Sequence, residues 1–279
     1  MTRAAQLFAA LALAAFSALA GAAATPDIPT PYVPSTDLNV DEMLRLAQVR
    51  PGDLVYDLGS GDGRIVIAAA RDWGARGVGV ELDSKLVAQS RERAQQEGVA
   101  DRVSFQQGDV LKAPIGDATV VTMYLLTPLV ERLKPRLLAE LKPGTRIVAH
   151  EYGFSDWKAD RHVQVSKNFY LYVVPASVAG KWKLALTLPA GVREYDLELT
   201  QRYQDVKGGA RVAGGYLPAF EPRITGERVA FVLVDDNATY RFEGRVSTHL
   251  MEGVVRWGPG PRQQEGTWRA VRATAVTEG

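Results

Sequence analysis

DLGSGDG, residues 57–63, decides how the first part of this chain is read. It follows a β-branched run, LVYDLG (54–59), and precedes an amphipathic stretch from Arg64 to Trp73, so it is a strand-to-helix turn. Gly59, Gly61 and Gly63 permit a tight turn and let a ligand approach the backbone, because a Cβ would obstruct both. A dinucleotide fingerprint, G-x-G-x-x-G, needs a glycine where Arg64 stands. A P-loop needs Gly-Lys-Ser/Thr, and none follows. The turn reads as a cradle for a nucleotide-type ligand whose spacing fits neither fingerprint.

Working outward, GVGVEL (77–82), VSFQQ (103–107), TVVTMYLL (119–126) and TRIVAHEY (145–152) read as further strands. Helical stretches run from Ser84 to Glu97 and from Pro128 to Leu141, and NFYLYVVP (168–175) is a last strand. This alternation predicts an α/β, Rossmann-like, doubly wound sheet. Asp83 is placed to cap the second helix and Gly98 to stop it. Ahead of the first strand, Asn39 with Glu42 three residues on predicts a capped helix running to about Gln48, closed by Pro51-Gly52. Asp57 ends the first strand, Glu81 ends the second, and Asp109 lies just past the third. Carboxyl ends of strands are where open α/β sheets bind ligands. Glu81 stands at the spacing for holding two ribose hydroxyls, and Asp109 is placed to accept from an adenine amino group. A strand-end acid commonly does no more than bond loop amides; three in order beside a glycine cradle favour the ligand reading.

G-x-G-x-G after a strand, with those acids following, resembles the class I (seven-β-strand) S-adenosylmethionine (SAM)-dependent methyltransferases over residues 31 to about 152. PYVPS (31–35), DLGSGDGRIVIAAA (57–70) and YLL (124–126) narrow the likeness to the protein-lysine methyltransferases of mitochondria, whose members modify the ATP synthase c-subunit and membrane carriers, and to their bacterial relatives, which need not share those substrates. The resemblance implies a SAM site formed by Asp57, Gly59, Ser60, Gly61, Gly63, Glu81 and Asp109. It implies a protein lysine as methyl acceptor. Methyl transfer is an in-line displacement, so the protein mainly positions a neutral amine about 3–3.5 Å from the methyl. Tyr124, at the end of the fourth strand, and Tyr32, in the PYVPS segment, are the candidate catalytic residues lining the pocket. His150 and Glu151 end the fifth strand at the same rim, where a packed strand end is the plainer reading than a base.

Beyond Gly180 the helical period vanishes. WKLALTL, YDLELTQRY, RVAFVLV, TYRFEGRV and GVVRW are alternating runs parted by Gly, Pro, Asp and Asn, the pattern of a small β-sandwich or barrel. Gly180-Lys181-Trp182 and Gly266-Thr267-Trp268 bracket it as first and last strands, and Trp182, Trp257 and Trp268 are predicted to pack its core. This region departs from the mitochondrial enzymes and leaves substrate and partner open. Asp205 to Gly209 and Asp235-Asp236-Asn237 read as turns, because calcium-loop spacing is missing. His162 and His249 have no ligand spacing, and no metal site is expected.

The chain opens MTRAAQLFAALALAAFSALAGAAA: one Arg, an apolar run from Ala4 to Ala20, then small-residue sites ending at Ala20 and Ala24. That is the layout of an export signal, or of an N-terminal anchor if the alanines up to Ala24 are counted. The predicted divisions are a leader at 1–24, a methyltransferase domain at 25–178 and a β-rich domain at 179–279. The predicted location is exported, periplasmic, or membrane-anchored. A net charge of +1 gives no footprint for nucleic acid, and the absence of cysteine removes disulfides and thiolate chemistry. Three readings stand: a protein-lysine methyltransferase, a small-molecule or lipid methyltransferase, and an exported non-catalytic relic that binds through its β domain. An intact cradle argues against the relic.

Overall fold

The computed structural model describes residues 32–235 and 237–273, so the predicted leader lies outside the described residues. Tyr32–Gly279 is one compact unit, and it holds two sheets.

The first sheet has seven strands: β1 (Leu54–Leu58), β2 (Arg76–Glu81), β3 (Val103–Gln107), β4 (Val120–Met123), β5 (Arg146–His150), β6 (Arg161–Gln164) and β7 (Asn168–Val173). Their order is β3-β2-β1-β4-β5-β7-β6. The first five are parallel; β7 runs antiparallel to β5 and pairs with β6 as a hairpin. The order reverses between β1 and β4, which opens a crevice above their carboxyl ends. Helices α1 (Asp37–Leu46), α2 (Arg64–Trp73) and α3 (Ser84–Gln96) cover one face, where Met43, Ile67 and Val87 join Val120, Val148 and Phe169 in one core. On the other face α4 (Thr127–Glu140) packs Leu133 and Leu137 against Leu58, Met123 and Ile147. With helices on both faces, the doubly wound α/β reading holds.

Several local expectations change. Asp83 caps α3 by accepting from the Lys85 amide at 2.7 Å, and Gly98 sits past its end at φ 67°, both as predicted. α1 is capped by Thr36 instead of Asn39: the Thr36 hydroxyl accepts from the Asn39 amide at 3.3 Å, while the Asn39 side chain accepts from Ser166 Oγ. β4 stops at Met123 and β5 at His150, because Glu151 turns the chain at φ 64°. Strand β6 is absent from the sequence reading. Its RHVQ sequence is mostly exposed and shows no alternation, and only its pairing with β7 makes it a strand.

The second sheet is all-β and antiparallel. It comprises β8 (Gly180–Leu188), β9 (Gly191–Arg202), β10 (Asp205–Val212), β11 (Gly215–Pro218), β12 (Phe220–Thr225), β13 (Arg228–Asp235), β14 (Ala238–Val246), β15 (Leu250–Trp257) and β16 (Gln264–Arg272). Pairing of β9 with β10 and of β8 with β16 closes eight of them into a barrel, with β11 attached to β10. Inside, the Phe231 and Phe242 rings stack at 4.4 Å, and Trp268 meets both edge-on at 5.7 Å. Trp182 and Trp268 are buried as expected, while Trp257 is only partly buried. Asp205 to Gly209 is not a turn but opens β10. Its glycines are there for close packing, since a Cβ on Gly208 would lie 2.0 Å from the Glu198 carbonyl oxygen.

The barrel meets the first sheet at the amino ends of its strands. The Ala176 amide donates to Gly226 O at 2.8 Å, and Gly226 lies against Gly144, just ahead of β5. On the α4 flank, Tyr203 stacks on Trp157 at 5.4 Å, and its hydroxyl donates to Asp156 at 2.9 Å. Asp156 also pairs with Lys134 and Arg202, and these partners hold its carboxyl down at about 2.

Candidate active site

The cradle forms at the carboxyl end of β1. Gly59, Gly61 and Gly63 have φ of 82°, 53° and 77°, a left-handed path that side chains with a Cβ rarely adopt. Space forbids a Cβ as well: one on Gly63 would sit 2.5 Å from Phe105, and one on Gly61 would sit 2.3 Å from the Tyr32 ring. The loop is held from below, where the Gly59 and Ser60 amides donate to Val80 O at 2.9 and 3.0 Å.

Around it stand the three predicted acids. Asp57 is 2% exposed; its one described hydrogen-bond donor is the Thr122 hydroxyl at 2.8 Å, and burial pushes its carboxyl up to about 7. Glu81 accepts from the Gly61 amide at 2.9 Å and from the Asp83 amide at 3.0 Å, which aims its carboxylate across the loop. Asp109 accepts from the Leu111 amide at 2.9 Å. Glu81 and Asp109 therefore make the plain backbone bonds of a strand end and Asp57 bonds a neighbouring strand's hydroxyl, yet each keeps acceptor capacity at the carboxyl ends of the strands.

The residues fit SAM. A cradle stripped of Cβ atoms admits the ligand backbone-close, and the buried Asp57 carboxyl, once ionised, is a counter-charge for a cationic ligand. Ser60 Oγ is buried without a hydrogen-bond partner among the described residues. Leu82, missed by the sequence reading, is 66% exposed directly after Glu81 and presents an apolar face beside that acid. Its place directly after the strand-end acid was the available signal.

Tyr124 follows β4 and is half-buried; its ring lies 4.0 Å from that of His150, at the neighbouring strand end. Tyr32 lies over Gly61 beside Arg64 and Asp62, and burial raises its hydroxyl above the usual tyrosine range. Segment 32–36 thus covers the cradle. It is fastened by Ser35, whose carbonyl accepts from Arg64 Nη1 at 2.5 Å and whose hydroxyl lies 3.2 Å from His150 Nδ1. The structure sets the predicted acids at the carboxyl ends of successive strands, with Tyr32 over Gly61 and His150 between Tyr124 and Ser35 of the cover. Glu151 instead takes part in the strand-end turn, accepting from the Asn168 amide. No cluster of metal-binding side chains occurs among the described residues.

Residues 57–161 match the family model described as the ANTKMT methyltransferase domain. The chain is 43% identical over 150 residues to the protein-lysine N-methyltransferase of Saccharolobus islandicus, covering 93% of that protein and 52% of this chain. The chain belongs to the protein-lysine N-methyltransferase family. It is 39% identical over 130 residues to the ATP synthase c-subunit lysine N-methyltransferase of Rattus norvegicus, spanning 59% of that protein and 47% of this chain. The solved structure of an RNA methyltransferase from Salinibacter ruber, with S-adenosyl-L-homocysteine, is 48% identical with a TM-score of 0.52, covering 52% of this chain and 96% of that one. This family member is a SAM-dependent methyltransferase, and SAM is its cofactor. The matched regions cover about half of this chain.

Proposed function

We propose that this methyltransferase transfers methyl groups to a lysine of a protein substrate. The observation that carries the reading is the complete cradle joined to an aromatic rim and covered by segment 32–36. The named activities of the relatives support it. Bound SAM supplies an electrophilic methyl on a sulfonium sulfur. The chain's own residues must hold an amine close and uncharged. A lysine amine at its reference pKa near 10.4 costs about 4–5 kcal/mol to neutralise at pH 7. A partly dry pocket beside a cationic ligand lowers that cost through desolvation and like-charge repulsion. Tyr124 and Tyr32 line this pocket and present aromatic faces to the methylated product.

Tyr32, Val33, Leu38, Tyr152 and Val165 are exposed, with Tyr32 over the cradle and Tyr152 just past the His150 end of β5. An apolar rim suits a lysine presented from an apolar protein surface, which favours a membrane-protein substrate. RNA, the substrate class named for the Salinibacter ruber enzyme, is disfavoured by a net charge of +1 and ion-paired arginines. We further take residues 25–178 as the methyltransferase domain and 179–279 as a β domain. The leader at 1–24 serves as an export signal or membrane anchor. No helix among the described residues is long and apolar enough to cross a membrane. Because the barrel joins at the amino ends of the strands, it serves attachment or partner binding and leaves the acceptor pocket to the first sheet.

The test is calorimetric titration of SAM, followed by mass spectrometry of proteins incubated with enzyme and SAM. Saturable micromolar binding and mass gains of one or more methyls on lysine are expected. Methyl transfer only to RNA or small molecules would overturn the lysine reading, and no binding up to millimolar SAM would favour the relic.

A further inference from the structure

His150 is the unusual group at this rim. It is 1% exposed, at the carboxyl end of β5, with its ring stacked on Phe169 at 4.9 Å and tilted by 34° against Tyr124 at 4.0 Å. Nδ1 is engaged by Ser35 Oγ at 3.2 Å, but Nε2 is buried with no hydrogen-bond partner among the described residues. Leaving a buried polar atom unpaired costs about 1–3 kcal/mol, so a site that keeps one usually has a use for it. The strand order β1-β4-β5 puts His150 two strands, roughly 10 Å, from the strand that carries the cradle. That places it beyond the cofactor loop, on the side where Tyr124 is half-exposed.

We propose that His150 is the hydrogen-bond acceptor that orients the methyl-accepting amine, receiving an N–H of that amine at Nε2. The inference rests on the lysine reading above. It requires the ring proton to sit on Nδ1 and be donated to Ser35 Oγ, leaving the Nε2 lone pair open. It also requires a neutral ring, because a protonated imidazole would repel a cationic cofactor and present no acceptor. Burial supplies that: it lowers the imidazole to about 4 against the pull of Glu151, with Lys167 adding to the drop. These two side chains are the charged groups acting on the ring. So weak a base does not deprotonate lysine. The amine's proton leaves to solvent, and His150 fixes the direction of the lone pair.

The protein has three histidines, so ¹⁵N-histidine NMR on the purified chain resolves the ring directly, with His150→Phe identifying its signals. An Nδ1–H tautomer at pH 7 is expected, and an Nε2–H tautomer overturns the proposal. Methyl transfer to poly-L-lysine then measures its worth. His150→Phe keeps the stack but should lose about 10–100-fold in kcat/KM, the value of one such hydrogen bond, with SAM affinity within about threefold. His150→Gln, which restores an acceptor oxygen, should recover at least about threefold of that loss. Unchanged kcat/KM in a folded His150→Phe, or a loss confined to SAM affinity, overturns the assignment. If the unaltered enzyme binds SAM but leaves poly-L-lysine unmodified, the lysine reading is what suffers, and the tautomer still decides the role of His150.

Discussion

Replacing Asp57 by asparagine should make the enzyme more stable and worse at holding its cofactor. The carboxyl is 2% exposed and titrates at about 7; burial is the main cause, the Thr122 hydrogen bond opposes it, and the charges of Glu81 and Asp62 add to it. An unfolded aspartate titrates near 3.9, and each unit of difference is worth about 1.36 kcal/mol, so ionised Asp57 costs at most about 4 kcal/mol. Between about pH 4 and pH 7 the folded chain keeps a proton that the unfolded chain has lost. The stabilisation is therefore complete below about pH 4 and is lost as pH rises through about 7. Asparagine keeps an oxygen to accept from Thr122, now 2.8 Å away, and does not ionise. Asp57→Asn should gain about 2–4 kcal/mol at pH 8 and almost nothing at pH 4, or roughly 5–15 °C in Tm at the higher pH. Thermal unfolding at pH 4.5, 6 and 8, with and without SAM, reads both effects. SAM affinity should fall at least about tenfold, because the cradle loses its buried negative charge. A Tm that follows the unaltered protein at every pH would refute the buried-charge argument. Unchanged SAM affinity would remove Asp57 from the cofactor site.

Further outcomes can be checked with the same preparations. Gly61→Ala puts a Cβ 2.3 Å from Tyr32 at φ 53° and should cost about 1–3 kcal/mol in urea unfolding while displacing segment 32–36; an unchanged midpoint contradicts the packing described. Asp109→Ala should weaken SAM binding about tenfold by calorimetry, and equal affinity would end its assignment to adenine. Tyr124→Leu should lower kcat by more than it lowers SAM affinity, and the reverse order would move Tyr124 from the acceptor pocket to the cofactor site. Trp157, 1% exposed and stacked with Tyr203, should cost about 3–5 kcal/mol as Trp157→Ala, and a loss under 1 kcal/mol would mean the flank contact is slack.

Much of the cradle was legible because its requirements are local. A left-handed turn with no room for a Cβ demands glycine, so Gly59, Gly61 and Gly63 announce the loop wherever the rest of the chain goes. Asp83 and Gly98 marked the ends of α3 for the same reason: capping is settled within a few residues. The acids fell into place once the β-branched runs were found, because each acid closes or directly follows such a run. Elements without a local signature were missed. β6 has no alternation, Asp205 to Gly209 carries turn residues inside a strand, and Leu82 looks like any apolar residue until its exposure is seen.

The sequence by itself determined the strand–turn–helix cradle, the order of acids at the carboxyl ends of successive strands and the switch from α/β to all-β after Gly180. Backbone conformation and hydrophobic period are properties of neighbouring residues. Only the tertiary structure decided that β9 and β10 close a barrel, that the barrel joins at the amino ends of the first sheet, and that Ser35 meets His150 across 115 positions of chain. Those contacts depend on which surfaces find each other after collapse, and a hydrogen bond between distant residues leaves no period or spacing in the sequence to announce it.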